Sequence, residues 1–132
     1  MTNIKKFSPT MSVENPTASS SFYVKHFNAK VTFDCGWYIN ITFGNCELCF
    51  MKPQSPEQPM LDGKGLMYSF EIENVDEEYA RLSKFGVTIV MPLEYHPWGD
   101  RGFGILDPHG IVLYFYKSTE PAEEFKKYYK NT

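Results

Sequence analysis

One order of secondary-structure signals runs through the 132 residues twice, and this duplication constrains the fold more than any single motif. In the first copy a short strand at about Pro9 to Glu14 leads into Asn15-Pro16, a helix cap followed by proline at the first helical position. A helix to about Phe27 follows. Lys30 to Asp34, Tyr38 to Phe43 and Glu47 to Lys52 are then β-rich runs separated by the turn formers Gly36 and Gly44-Asn45. The second copy repeats the order. Leu66 to Glu73 reads as a strand, Asn74-x-x-Glu77 as a capping-box-like start to a helix from Val75 to Phe85, and Gly86 as its stop. Val87 to Met91, Gly102 to Leu106 and Ile111 to Lys117 supply three more strands. Val13-Glu14-Asn15 aligns with Ile72-Glu73-Asn74, and Phe27 with Phe85, at an offset of about 58 residues.

The expectation is an α+β fold of two tandem βαβββ modules, about 7–52 and about 66–117, in one domain spanning 1–132. A Pro-, Gln- and Gly-rich linker at 53–65 joins them, and a tail at 118–132 follows. A helix covers one face of each sheet, so two curved sheets are expected to enclose a cavity with their other faces. Alternation along the first strand of module two places Tyr68, Phe70 and Ile72 on the helix side and Met67, Ser69 and Glu71 inward. In the tail, Pro121 opens a short helix with Phe125, Tyr128 and Tyr129 at i, i+3 and i+4, placed either on its own domain or across a dimer interface.

Charge and apolar runs narrow the function. Thirteen basic against sixteen acidic side chains, without a block of like charge, offer no field for a polyanion, so no nucleic-acid partner is expected. No membrane association is expected either. The longest apolar run, Ile111 to Tyr116, is far shorter than the ~20 residues of a spanning helix, and Met1 to Lys6 contains no apolar signal core. A cytoplasmic location follows as an expectation, and three cysteines agree with it, being an odd number for a disulfide framework. Cys46-x-x-Cys49 lies in a strand, where residues three apart face opposite ways, so it reads as two ordinary thiols rather than a metal or redox pair.

Within this duplicated frame stand Pro97-Trp98-Gly99-Asp100-Arg101-Gly102-Phe103, then Asp107-Pro108-His109-Gly110 and the strand Ile111 to Tyr116. Over about Phe7 to Lys117 the chain resembles the vicinal oxygen chelate superfamily, which includes glyoxalase I, fosfomycin-resistance transferases, extradiol dioxygenases and bleomycin-resistance proteins. It is most similar to the bleomycin-resistance-like branch, with Asp100 as one residue inserted into that branch's Pro-Trp-Gly, Arg-x-Phe series. The resemblance implies a homodimer. It also implies that catalytic relatives hold a divalent ion with His, Glu or Gln from the first and last strands of each half. The matching positions here are Ser8, Cys49, Met67 and Tyr114, a set without the carboxylate and imidazole donors such ions need. No metal and no cofactor are therefore expected.

What remains is a pocket rich in aromatic and polarizable groups. Tyr114 and Tyr116 alternate inward with Met67 opposite, Trp37, Tyr38, Trp98 and Phe103 are rim candidates, and Glu71 and Cys49 share the inward side. Arg101 either pairs with a carboxylate or meets an anionic ligand group. Of the histidines, His26 ends the first helix, His109 sits in a tight turn, and His96 precedes the Pro-Trp segment at the cavity mouth. The expected function is metal-free binding of a small aromatic or bulky organic ligand, as in drug or toxin sequestration and antibiotic resistance. The alternatives are a metal-dependent lyase, transferase or dioxygenase of the same superfamily, and a protein-interaction role with a filled cavity.

Overall fold

The computed structural model describes residues 2–130. Its elements run β1 (Thr10–Ser12), α1 (Pro16–Phe27), β2 (Lys30–Asp34), β3 (Tyr38–Phe43), β4 (Cys46–Met51), β5 (Met67–Glu71), α2 (Val75–Ser83), β6 (Ile89–His96), β7 (Asp100–Leu106), β8 (Val112–Ser118) and α3 (Glu123–Lys126). The chain divides between Asp62 and Gly63 into two compact units. Each holds one four-stranded mixed sheet of the same topology, β1-β4-β3-β2 in the first and β5-β8-β7-β6 in the second. The first strand pairs in parallel with the last, β1 with β4 and β5 with β8, while the remaining pairs are antiparallel. A parallel pair needs a crossover, which the helix and two intervening strands provide. The duplicated βαβββ order is thus the architecture.

In the first unit the Asn15 side chain accepts a hydrogen bond from Ala18 N at 3.1 Å, Pro16 opens α1, and Asn28 closes it in the left-handed region with φ 54°. Tyr23 of α1 is fully buried, its ring 5.8 Å from those of Phe43 and Phe50. In the second unit α2 buries Val75 and Leu82, and Tyr79 sets its ring edge-on to Phe103 at 5.1 Å. Phe70, Phe115 and Phe103 stack across β5, β8 and β7 beneath it.

Several local expectations change. Asn74 makes no side-chain cap bond, so the capping box does not form, and α2 stops at Ser83. Phe85 consequently lies beyond the helix and is half exposed, with the Arg81 guanidinium over its ring. β6 runs on from Met91 to His96, and one of its two register shifts, between Met91 and Glu94, spans Pro92. β7 begins at Asp100 rather than Gly102. The stretch Pro97-Trp98-Gly99 is therefore the three-residue turn of a β-hairpin, closed by Gly99 N donating to His96 O at 3.1 Å, with Gly99 at φ 118°. The Asp-Pro-His-Gly turn forms as its residue types predict, with Asp107 Oδ1 accepting from the backbone of His109 and Ile111 at 2.8 and 2.9 Å. No helix of the described residues is long and apolar enough to cross a membrane.

Candidate functional site

Alternation in the second sheet sorts its side chains into two sets. Tyr68 and Phe70 are half buried toward α2 while Met67, Ser69 and Glu71 are exposed on the opposite face. Across the β5–β8 ladder Ser69 sits beside Tyr114 and Glu71 beside Tyr116, and across β7–β8 Gly104 opposes Tyr114 and Gly102 opposes Tyr116. The two tyrosines lie two residues apart on one strand and stack at 5.8 Å. Of the two glycines beside them, Gly102 leaves no room for a side chain. A side chain at Gly102 would meet the Tyr114 hydroxyl at 2.5 Å and Phe115 O at 2.7 Å.

A cleft of about 450 Å³ opens on this face. Tyr114 and Tyr116 form its floor with Met67, Ser69 and Met91, and the hairpin turn brings Trp98, Gly99 and Asp100 to one side. Ser118 and Tyr129 of the C-terminal segment complete it. Trp98 and Met67 are about half exposed, at 46% and 49%, whereas Tyr114 is buried.

Asp100 organises the hairpin side of the cleft. Its Oδ1 accepts from the Tyr114 hydroxyl at 2.9 Å and from His96 Nδ1 at 2.7 Å, and its Oδ2 accepts from Trp98 Nε1 at 3.2 Å. The carboxylate thereby fixes the proton of His96 on Nδ1. The His96 ring also lies flat against Trp98, centroids 4.6 Å apart and planes 2° from parallel. Four side chains are thus locked into one network whose outer member is the half-exposed indole. Burial, then the hydrogen bond and charge of Asp100, raise the Tyr114 phenol well above tyrosine's usual range, so it remains a hydroxyl donor.

The other expected site residues are elsewhere. Phe103 is fully buried between Tyr79 and Phe115 on the helix side, because its position in β7 alternates away from the cleft. Arg101 also points to that side and resolves in favour of a carboxylate. Its guanidinium donates twice to Asp76, at 2.7 and 3.2 Å, and covers the Tyr95 ring at 4.4 Å. Glu71 stands at the edge of the cleft, accepting from Ser118 Oγ at 2.8 Å. Trp37, Tyr38 and Cys49 belong to the first unit. There Trp37 is half exposed beside Tyr38, and a hydrogen bond with Cys49, together with burial, raises the Tyr38 phenol. Asp100, Ser69, Met91 and Tyr129 are absent from the ligand-binding candidates that the sequence suggests. Only the hairpin register, which pairs His96 with Asp100, reveals Asp100 as the hub.

The metal-ligand positions of the resembling family fare no better as geometry than as composition. In the first unit Ser8 donates to Glu47 at 2.6 Å, Lys6 pairs with the same carboxylate, and Cys49 is buried. In the second, Met67 offers a thioether and Tyr114 a protonated phenol. These donors do not fit a hard or borderline divalent ion. Among the described residues no three His, Cys, Asp or Glu side chains come together as a metal site.

Residues 7–115 match the family model described as Glyoxalase/Bleomycin resistance protein/Dioxygenase superfamily. A search of curated protein sequences gave no match. The fold is similar to that of the bleomycin resistance determinant encoded on the transposon Tn5, at 17% identity and TM-score 0.67, covering 87% of this chain and 98% of that one. It is also similar to the fosfomycin resistance protein FosX of Listeria monocytogenes, solved with Mn(II) and sulfate, at 20% identity and TM-score 0.69, covering 97% and 100%. A glyoxalase/bleomycin resistance protein/dioxygenase from Nocardioides gives 17% identity and TM-score 0.75, covering 91% and 87%. At these identities the likeness is one of fold.

Proposed function

Because the chain belongs to the Glyoxalase/Bleomycin resistance protein/Dioxygenase superfamily, we propose that it binds a small, flat, positively charged organic molecule in the cleft of its second unit, without a metal ion, and acts by sequestering it. One observation carries this reading. The cleft presents aromatic faces on its floor and side, with the Asp100 carboxylate behind them and Glu71 at the edge. Aromatic faces attract cations through the ring quadrupole, and each good stack adds ~0.5–1.5 kcal/mol beyond area burial. Among the described residues that line the cleft there is no lysine or arginine to favour an anion.

Ethidium is a suitable probe, being planar, aromatic and cationic. In a Trp37→Phe background, which leaves Trp98 as the one tryptophan, ethidium is expected to quench the emission. Trp98→Ala and Tyr114→Ala, followed through ethidium's own fluorescence, are each expected to weaken binding about tenfold or more. Unaltered affinity in both removes the assignment. Mass spectrometry of protein soaked in Ni, Zn, Mn and Fe(II) tests the metal-dependent alternative. One tightly held equivalent, released together with the probe by a chelator, makes that alternative the better reading.

A further inference from the structure

The segment after Ser118 lies beyond the residues that match the family, yet it is bonded to every residue of the turn that carries Trp98. Thr119 N donates to Gly99 O and Ala122 N to Pro97 O, both at 2.8 Å, and the Tyr129 hydroxyl donates to Trp98 O. The short helix α3 brings Phe125 edge-on to the indole at 6.4 Å. The turn is shaped to admit this segment. Gly99 has φ 118°, and a side chain there would meet the Tyr129 hydroxyl at 2.8 Å and the Pro121 ring at 3.2 Å. Tyr129 itself lines the cleft while remaining 61% exposed. A tyrosine packed only to complete a core hides its ring. This one fixes its hydroxyl on the protein and leaves its ring bare.

We propose that Tyr129 is a ligand-contacting residue and that the C-terminal segment is a wall of the binding site, so that it determines how extended a flat ligand the cleft accepts. The proposal rests on the cleft being the binding site and adds that one of its walls comes from outside the duplicated scaffold. Stacking against the bare ring requires the ring and not the hydroxyl. In ethidium titrations Tyr129→Ala is expected to weaken binding roughly two- to tenfold, while Tyr129→Phe stays within about twofold of the wild type. Thermal melts of both variants serve as folding controls, and Trp98→Ala serves as the marker of the cleft. If Tyr129→Ala binds as tightly as the wild type while Trp98→Ala does not, the wall is refuted and the cleft stands. If Tyr129→Phe falls as far as Tyr129→Ala, the hydroxyl strap and not the ring is responsible, and the proposal is overturned. If the wild type binds no ethidium, the cleft reading and this one fail together.

Discussion

Asp100→Ala is expected to lower the unfolding free energy by about 3 kcal/mol, because it leaves the Tyr114 hydroxyl, His96 Nδ1 and Trp98 Nε1 without their shared acceptor. An exposed carboxylate would cost far less, since water replaces it. Here Asp100 and Tyr114 are both buried. Urea denaturation should show the midpoint falling with an unchanged slope, and a loss below about 0.5 kcal/mol would mean that the network is not a structural unit. Binding should fall as well. Without Asp100 the indole N–H loses its carboxylate acceptor, and the stacking of the ring on His96 is no longer oriented. Asp100→Asn keeps the volume and one acceptor, so it should recover part of the stability and identify the rest as charge.

Gly102→Ala carries the other large effect. A methyl group there would approach Tyr114 Cζ at 2.6 Å and Phe115 O at 2.7 Å, and the second of these is backbone within the β7–β8 ladder. The first contact is relieved only if the Tyr114 ring leaves the cleft floor, and the second only if the β7–β8 pairing is disturbed. The expected cost is about 2–3 kcal/mol of overpacking, together with loss of measurable ethidium binding. A crystal structure of the variant with Tyr114 unmoved and full binding would refute the account. Gly102→Ala combined with Tyr114→Phe should regain little, since Cζ clashes as well as the hydroxyl.

The duplicated order of elements is legible in the sequence because its signals are local. Proline after asparagine, glycine after a helix and strict alternation each act within a few residues, and the faces of β5 follow from period two alone. What local signals miss depends on register. Pro92 and Glu94 break the apolar pattern of β6, so the pattern ends that strand at Met91 and leaves the Pro-Trp-Gly turn as an open loop. Asp100 then reads only as a residue inserted between Pro-Trp-Gly and Arg-x-Phe. Only when His96 pairs with Asp100 across a hairpin does the carboxylate arrive beneath the indole. The same register decides Phe103 and Arg101. Pairing with Phe115 and Lys117 places them one residue out of phase with Tyr114 and Tyr116, on the face covered by α2. For Tyr129 the spacing misleads: it suggests one helix with Phe125 and Tyr128, whereas α3 ends at Lys126, and no period connects Tyr129 to the turn it joins.

The division between Asp62 and Gly63 also bears on how the chain reaches its native state. Among the described residues every strand ladder closes within its own half, and the first sheet's most distant pairing joins Thr10–Ser12 to Cys49–Met51. All the partners of that sheet are therefore translated before the second sheet's first strand begins, and β8, on which β5 must pair, comes last of the strands. Loops of this length close quickly compared with synthesis at ~5–20 residues per second, so the first half can complete its hydrogen bonding while the second is still being made. A duplicated chain faces the hazard of pairing a strand with its homologue in the other copy. Vectorial synthesis separates the two copies in time and reduces that hazard at its source.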